Sequence, residues 1–414
     1  MNIHFKENKL FFEGVLLEDI IQSHKTPFYL YSQKVISDTY KNLENILSSE
    51  IFFAIKANPN QAILKLMKNC GAGADVVSAG ELQRALHAGF DPRKIIFEGV
   101  GKSKEEIEFA IQKKIRLINA ESIDEIKLIN KIGKETNAII NIGVRFNPNI
   151  DSNTLDKIST GKKTDKFGIS IEQLNEVISL SKSSDHINLK GISCHIGSQI
   201  QSTAIFGKVF DTMKKTADLF FSCGIVLEYV DLGGGFGINY EKNHNDLDIV
   251  NLGKLVSSVF KNVPYKVSFE PGRYLIARAG IIITKILTTK NNGGINFLII
   301  DAGMQTLLRP AMYAALHRVE ALNDLQEKNI NYTVAGPICE SSDIIAKDIQ
   351  LPMQKSDNYL VIHDVGAYGA SMASNYNSRG LPTEILVNEN KFSIIHEEEN
   401  ISEIIERDTI PDWL

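Results

Sequence analysis

Short apolar runs alternate with amphipathic stretches along the chain between residues 51 and 272. Each run is rich in β-branched or aromatic residues, which is typical of a strand, and is followed by a turn and a polar–apolar stretch. Eight runs have this character: 51–57, 74–79, 94–99, 115–120, 138–146, 187–197, 227–235 and 265–272.

The stretches between these runs place apolar residues at i, i+3 and i+4, which predicts helices. The clearest are 60–70, 79–89, 104–114, 122–133, 171–182 and 206–224. Gly71, Gly89, Gly133 and Gly224 stand where helix C-caps are expected. Eight strand–helix units in series predict an α/β fold with a closed (β/α)8 TIM-type barrel, the alternative being an open doubly wound sheet.

The pattern changes at about residue 275, where strand-like runs separated by turn signals follow one another without long helices. These runs are 280–290, 295–304, 358–365 and 384–395. The first ~30 residues are also strand-like. We therefore expect a barrel domain over residues 30–275 and a β-rich domain, sandwich- or barrel-like, over residues 1–29 and 276–414.

Composition narrows the functional class. Apolar residues make up 43% and charged residues 23%, as in a globular protein with a sizeable core. The net charge of −5 and pI of about 6.0 give no indication of a nucleic-acid or anionic-membrane partner. The N-terminus lacks a signal-peptide pattern, and the four cysteines lack CxxC or zinc spacing. We expect a cytoplasmic enzyme without a structural metal.

Catalytic groups of βα barrels lie at the carboxyl ends of the strands. The predicted strands bring Lys56, Asp75 and His195 to this end, together with the glycine-rich turn 231–237 and the segment 270–273. One end of the barrel therefore gathers an amine, an imidazole, carboxylates, a guanidinium and a possible anion-binding turn.

Each of these groups has an ordinary reading when taken alone. Lys56 could be a solvated strand-end lysine, His195 a core histidine, the glycines a tight turn, and Glu270 with Arg273 an ion pair. Their functional readings are a Schiff-base amine, a flat group on a cofactor ring, a phosphate site, and a carboxylate that keeps a pyridine nitrogen protonated. Together these parts predict a site for pyridoxal phosphate.

The second domain offers three further groups of side chains. Arg309 and Tyr313 stand four residues apart, one helical turn if the stretch is helical. Cys339 lies beside Glu340 among small polar residues, and Tyr368 lies between two glycines. Cys339 could equally be an inert cysteine, and Tyr313 a stray tyrosine on a solvent-facing helix.

Several motifs, in this order and spacing, resemble those of the diaminopimelate decarboxylases: FFAIKAN, HIGSQ, VDLGGGFG, EPGR, DAGM…LLRPAMY, GPICESSD and GAYGASMASNYNSR. These are pyridoxal-phosphate enzymes of the alanine-racemase-like fold type. The resemblance spans residues ~25 to ~385. It implies a barrel, a β-rich domain built from both termini, and a homodimer with active sites at the subunit interface.

The resemblance also implies a role for each matching position. Lys56 would be the internal-aldimine lysine, Glu270 would face the pyridine nitrogen, and His195 would stack on the ring. The cofactor-binding set is Lys56, Asp75, His195, Ser198, Gly234, Gly235, Glu270, Pro271, Gly272, Arg273 and Tyr368.

The substrate implied by the resemblance is meso-2,6-diaminopimelate, which loses CO2 to give L-lysine in the last step of lysine biosynthesis. The substrate-binding set is Arg273, Arg309, Tyr313, Glu340 and Tyr368. Two arginines would grip the distal carboxylate, and Glu340 the distal ammonium. Lys56 and Cys339 would be catalytic, with Cys339 of the partner subunit donating the proton.

Other readings stay open at this point. Decarboxylases of the same fold that act on ornithine, arginine or carboxynorspermidine are the nearest, although the strings around Arg309 and Glu340 favour diaminopimelate. An alanine racemase would lack these strings. A non-catalytic pyridoxal-phosphate carrier or a degenerate partner of a decarboxylase is the alternative from another class, and Lys56 and Cys339 argue against the latter.

Overall fold

The protein is described by a computed structural model over residues 3–6, 9–151, 160–161, 163–240, 246–322 and 328–414. The chain divides into two compact units. The barrel unit comprises residues 39–239 and 244–275, and the β-rich unit comprises residues 1–38, 240–243 and 276–414.

Eight parallel strands form the barrel, and each pairs with the next along the chain. They are Glu50–Ala54, Gly73–Val76, Ile95–Phe97, Leu117–Ala120, Ile140–Asn147, Ile187–Ser193, Tyr229–Asp231 and Lys266–Phe269. The eighth strand pairs with the first, Ser268 opposite Glu50, so the sheet is closed. All eight predicted strands are confirmed, and closure excludes the open sheet. A short strand, Ile169–Ser170, pairs with the end of the fifth.

Helices alternate with the barrel strands, beginning before the first strand and ending after the eighth. They are Gln33–Leu47, Gln61–Cys70, Ala79–Ala88, Lys104–Lys113, Ile123–Thr136, Leu174–Ser183, Thr203–Ser222, Ile249–Val259 and the single turn Arg273–Ile276. Several of these helices have a polar N-cap whose side chain accepts a backbone N–H of the first turn, among them Asn60, Ser78, Ser103, Ser122 and Asp248. Among the described residues, no helix combines the length and apolar character needed to span a bilayer.

The expectation that Gly133 ends its helix is wrong. The helix continues to Thr136 and is capped by Asn137, which has φ of 51°. Gly133 is buried inside the helix, and a Cβ there would lie 2.8 Å from the backbone oxygen of His186. The glycine therefore permits close packing of the helix against the segment before the sixth strand. Gly71 and Gly89 are C-caps as predicted.

The β-rich unit contains two sheets. Three antiparallel strands near the N-terminus form the first: Ile3–Lys6, Lys9–Phe12 and Val15–Leu16. Nine strands form the second: Phe28–Ser32, Gly280–Asn292, Ile295–Ile300, Val319–Ala321, Asn329–Ala335, Ile344–Pro352, Tyr359–Ile362, Thr383–Asn388 and Lys391–His396. Its helices are short: Leu17–Ser23, Arg309–Tyr313 and Ile401–Ile405.

Both termini contribute to the core of this unit, as predicted. The strand Phe28–Ser32 is buried at every position and pairs antiparallel with Gly280–Asn292 and parallel with Thr383–Asn388. Phe28, Leu30 and residues of both neighbouring strands belong to one apolar cluster. A strand buried on both faces needs partners on both edges, and these are supplied by segments more than 240 residues away in sequence.

Candidate active site

Lys56 follows the first barrel strand in a single 3-10 turn, Ile55–Ala57. The strand ends at Ala54, earlier than expected, because the Asn58 N–H donates to the Ile55 oxygen and closes the turn. The ammonium Nζ lies 2.9 Å from Oδ2 of Asp75, on the adjacent strand. The Asp75 side chain is fully buried, whereas 40% of the Lys56 side chain is exposed. The amine is thus anchored yet accessible.

The segment after the eighth strand packs directly against this turn. The Ala54 N–H donates to the Pro271 oxygen at 3.4 Å. A Cβ on Gly272 would lie 2.9 Å from the Cβ of Ala57, so only glycine allows the two segments to approach this closely. The closed barrel therefore places the first and eighth strand ends side by side, bringing Lys56 near Glu270.

Glu270 is a buried carboxyl with an unused oxygen. It is 7% exposed, and its Oε1 has no hydrogen-bond partner among the described residues. Burial raises the pKa of Glu270 well above its usual range, and the neighbouring carboxyls of Asp231 and Asp75 raise it further. A buried carboxyl oxygen with no protein partner suits a ligand group that shares a proton with it.

His195 lies two residues beyond the sixth strand, and its ring is oriented by the glycine turn. Its Nδ1 accepts the N–H of Gly234 at 3.1 Å, so that nitrogen carries no proton. Desolvation, followed by the charges of Arg145 and Lys56, holds the pKa of His195 well below its usual range. The ring is therefore a neutral, flat group.

The glycine turn after the seventh strand is tightly packed. Gly235 has φ of +84°, and a Cβ there would collide with the backbone oxygen of Gly197. A Cβ on Gly234 would collide with the backbone oxygen of Glu270. Gly234 and Gly235 therefore cannot be replaced by residues with side chains unless the neighbouring backbone moves.

Ser198 and Arg273 meet beside this turn. The Arg273 Nη2 donates to the Ser198 Oγ at 3.0 Å, and Arg273 is only 8% exposed. This bond joins the loop after the sixth strand to the helical turn after the eighth.

Sequence reasoning missed a second charged cluster at the same barrel end. Arg145, on the fifth strand, pairs with Glu121 at 2.8 Å and lies 3.8 Å from Glu98, which follows the third strand. Burial raises the pKa of Glu98 to about 7, although Arg145 opposes the shift. Arg145 also donates to the backbone oxygen of His195 at 3.4 Å. The rule that selected Lys56, a charge at a predicted strand end, would have found both.

The opposite barrel end holds a cavity of about 560 Å³. It is bordered by residues that begin or precede strands, among them Glu50 and Arg116. The Arg116 guanidinium lies 4.9 Å from the ring centroids of both Phe52 and Tyr229 and bonds to Glu50 at 2.6 Å. These contacts close the bottom of the barrel, an end where polar residues usually serve stability.

In the β-rich unit, Arg309 and Tyr313 occupy the two ends of one short helix, as their spacing predicted. Arg309 is 4% exposed, and its Nη1 lies 2.7 Å from Nε2 of His317. Tyr313 is half-buried. The helix thus fixes a guanidinium in a largely enclosed position.

Cys339 and Glu340 lie in an exposed loop of the same unit. The buried carboxyl of Asp343 shapes this loop, since it accepts the N–H groups of Ile338 (2.7 Å) and Met304 (2.6 Å). Tyr376 donates its hydroxyl to Glu340 at 2.5 Å. The thiol-bearing residue is therefore held at the surface by a defined loop.

Tyr368 adopts an unusual backbone conformation, with φ of +57°. Such values are uncommon for a bulky residue and often mark functional positions. Two residues before Tyr368, a Cβ on Gly366 would collide with the backbone oxygen of Ile276, so position 366 has no room for a side chain.

The barrel-end groups fit pyridoxal phosphate. The accessible amine of Lys56 matches its aldehyde, and the buried carboxyl with an unused oxygen matches its ring nitrogen. The neutral, flat imidazole matches its ring face, and the glycine turn matches its phosphate. Lys56, Glu270, His195 and the turn at Gly235 would hold these four parts. Among the described residues, no group of three or more His, Cys, Asp or Glu side chains is arranged to bind a metal ion.

Comparison with known proteins identifies relatives over nearly the whole chain. Residues 33–277 match the family model described as the pyridoxal-binding domain of pyridoxal-dependent decarboxylases. Diaminopimelate decarboxylase of Haemophilus influenzae is 38% identical over 409 residues, covering 97% of each chain.

Solved structures agree with this similarity. Diaminopimelate decarboxylase of Helicobacter pylori, complexed with L-lysine, superposes with a TM-score of 0.90 at 36% identity, covering 94% of this chain and 98% of that one. The enzyme of M. jannaschii, also in complex with L-lysine, gives a TM-score of 0.93 at 35% identity, covering 100% and 99%.

Proposed function

The chain belongs to the diaminopimelate decarboxylases, within the pyridoxal-dependent decarboxylases, and we propose that it converts meso-2,6-diaminopimelate to L-lysine and CO2 with pyridoxal 5'-phosphate as cofactor. One observation at the site carries the proposal: the amine of Lys56 and the unused oxygen of buried Glu270 belong to adjoining strand ends of one barrel. A lysine that forms the Schiff base and a carboxyl beside the pyridine nitrogen are two protein groups that commonly bind this cofactor.

Each barrel residue has a distinct task in this proposal. Pyridoxal phosphate, when bound, supplies an electron sink for the pair left on Cα as CO2 departs. Burial raises the pKa of Glu270, so its carboxyl keeps a proton more readily than an ordinary glutamate, and we propose that it shares this proton with a ring nitrogen. Lys56 supplies the amine, and Asp75 orients it. His195 presents a neutral face.

The distal end of the substrate distinguishes diaminopimelate from simpler diamino acids. Its second carboxylate matches a guanidinium, because planar forks bind carboxylates through two parallel hydrogen bonds. The enclosed Arg309 provides such a group, with Arg273, Tyr313 and Tyr368 as further proposed contacts. Glu340 is proposed to bind the distal ammonium. Ornithine, arginine and carboxynorspermidine offer no matching carboxylate at this position.

CO2 release by the purified, cofactor-loaded protein tests the proposal directly. Diaminopimelate, ornithine, arginine and carboxynorspermidine are supplied separately, and lysine is measured alongside CO2. Release from diaminopimelate alone, with an equal amount of lysine, is expected. Release from another substrate would keep the cofactor but reject the role of Arg309, and silence with all four would favour a non-catalytic protein.

A homodimer with shared active sites is also proposed, with Cys339 of the partner subunit donating the proton to Cα. The exposure of Cys339 in a shaped loop supports this, since a donor for another subunit must reach the surface.

Mixing two impaired variants tests the sharing of sites. Cys339→Ala should bind cofactor normally but turn over slowly, and Lys56→Ala should be inactive. If sites are shared, equal mixtures re-equilibrated as dimers should regain about a quarter of wild-type activity, because half of the dimers carry one intact site. Activity no greater than that of the separate variants would show that each site is built from one subunit.

Glu270→Gln tests the proton-holding carboxyl. We expect kcat to fall by about 100-fold with diaminopimelate, in the range lost when a proton-transfer group is removed. In the cofactor-free protein the folded pKa of Glu270 is raised, so the folded state retains a proton that the unfolded state has lost. Stability should therefore fall as pH rises from the unfolded pKa through the folded one.

The glutamine variant should lack this contribution to the pH dependence. Its Tm without cofactor is expected to exceed that of the wild type at pH 8 and to approach it near pH 4, as followed by thermal melts. A wild-type Tm profile with the same slope as that of the variant would contradict the shifted pKa.

A cytoplasmic location is proposed on the composition of the chain. Four scattered cysteines suit a reducing compartment, and none of them forms a disulfide with another described residue. Fractionation of cells that produce the tagged protein would test this.

A further inference from the structure

His317 and Tyr240, both in the described part of the β-rich unit, contact Arg309. Its Nη1 lies 2.7 Å from the Nε2 of His317, and its guanidinium carbon lies 4.5 Å from the ring centroid of Tyr240. The rings of Tyr240 and His317 are themselves in contact, edge to face, with centroids 5.2 Å apart. A hydrogen bond in the guanidinium plane and an aromatic ring against it together restrict both the position and the tilt of the plane.

The hydrogen bonds of His317 determine its tautomer. Its Nδ1 lies 2.9 Å from the backbone oxygen of His363, and a carbonyl oxygen can only accept, so Nδ1 carries the proton. Arginine can only donate, so Nε2 must accept from Arg309. His317 is therefore a neutral imidazole that links Arg309 to the end of a strand.

The strand end is itself firmly held. The His363 N–H donates to the backbone oxygen of Arg318 at 2.9 Å. The His363 ring bridges Arg318 (2.9 Å from Nη2 to Nδ1) and Glu320 (3.1 Å from Oε2 to Nε2). The carbonyl that orients His317 thus belongs to a residue fixed through both its backbone and its side chain.

We propose that His317, with the ring of Tyr240, is a positioning residue that sets the plane of Arg309 for bidentate capture of the distal carboxylate. This inference rests on the proposed function. Two parallel hydrogen bonds form only if fork and carboxylate are coplanar, so a guanidinium fixed in advance binds more tightly than one that must be ordered on binding. His317 therefore contributes to the choice of substrate although it need not touch it.

Two substitutions, each of which keeps one of the two hydrogen bonds of His317, separate positioning from simple structural support. The amide of His317→Asn overlaps the Nδ1 position, so it keeps the bond to the His363 oxygen but cannot reach Arg309. The amide of His317→Gln reaches the Nε2 position, so it can accept from Arg309 while losing the bond to the strand. Positioning predicts that the asparagine variant is the more impaired, and structural support predicts the reverse.

The measurements are KM and kcat for meso-diaminopimelate and calorimetric affinity for L-lysine, all on the holoenzyme. For His317→Asn we expect KM to rise about 10- to 100-fold, as for loss of a hydrogen bond to a charged group, with kcat within about threefold. Lysine affinity should fall by a similar factor, since CO2 is lost from the reacting Cα and lysine keeps the distal carboxylate. His317→Gln should have a KM within about threefold of the wild type. The cofactor absorbance and Tm of both variants serve as controls for folding.

An equal KM for the two variants, or a higher one for His317→Gln, would overturn the proposal. Tyr240→Leu gives a second test if His317→Asn does not fold: it removes the ring under Arg309, and an unchanged KM would likewise overturn it. Arg309→Ala is measured in parallel. If Arg309→Ala also keeps the wild-type KM, the assignment of the distal-carboxylate site is wrong. If Arg309→Ala loses affinity but the His317 and Tyr240 variants do not, the proposed function stands and the role of His317 is wrong.

Discussion

Lys56→Ala should abolish decarboxylation and covalent attachment of the cofactor. Lys56 provides the accessible amine at the carboxyl end of the barrel strands, and Asp75 holds its Nζ at 2.9 Å. We expect kcat to fall by on the order of 10⁴-fold or more, as when other enzymes lose a covalent nucleophile. Borohydride treatment followed by peptide mass analysis should label Lys56 in the wild type and leave the variant unlabelled.

Lys56→Arg is the matched control. Arginine keeps a positive charge that can pair with Asp75, but its guanidinium stays protonated and cannot act as a nucleophile. Equal loss of activity in both variants would assign the effect to amine chemistry. Recovery in the arginine variant would assign it to charge. Wild-type turnover in Lys56→Ala would reject the assignment altogether.

Arg309→Ala should strongly weaken the use of diaminopimelate. The guanidinium is 4% exposed, so its loss would leave the distal carboxylate without its partner in an enclosed position. Removing one member of a buried charged pair costs about 2–5 kcal/mol. This corresponds to a fall in kcat/KM of roughly 30- to 5000-fold, with most of the change in KM. Steady-state kinetics over a wide substrate range would measure it.

Arg309→Lys separates charge from geometry. Lysine retains the positive charge but lacks the planar fork, so we expect a loss between those of the alanine variant and the wild type. Wild-type kinetics in Arg309→Ala would place the carboxylate site elsewhere, with Arg273 as the next candidate. The visible spectrum of the bound cofactor should not change in either variant, because Arg309 is assigned to the distal end of the substrate.

Strand-end reasoning found much of the candidate site from sequence. Lys56, His195 and Glu270 follow predicted strands, and a barrel collects all strand ends at one edge, so their convergence could be predicted before the structure was known. The same rule applied to every strand would have added Glu98 and Arg145. Both residues lie near the ends of predicted strands, in the runs 94–99 and 138–146.

Other features could not be read from the chain. The neutral state of His195 depends on an N–H from Gly234, and the raised pKa of Glu270 depends on burial beside Asp231. His317 lies eight residues after Arg309 and beyond the end of the five-residue helix, so their spacing in the sequence does not predict a contact.

The sequence by itself determined the alternation of strands and helices, the glycine caps at which two helices end, and the presence of a lysine, a glycine turn and a carboxylate at strand ends. These are local properties, because propensity, periodicity and capping act within a few residues. Only the tertiary structure decided that the sheet closes, that Gly133 lies within its helix, and which tautomer His317 adopts. Closure, burial and hydrogen bonds join residues that are distant along the chain. The eighth strand pairs with the first although Glu50 and Ser268 are 218 positions apart, and this pairing brings Glu270 near Lys56.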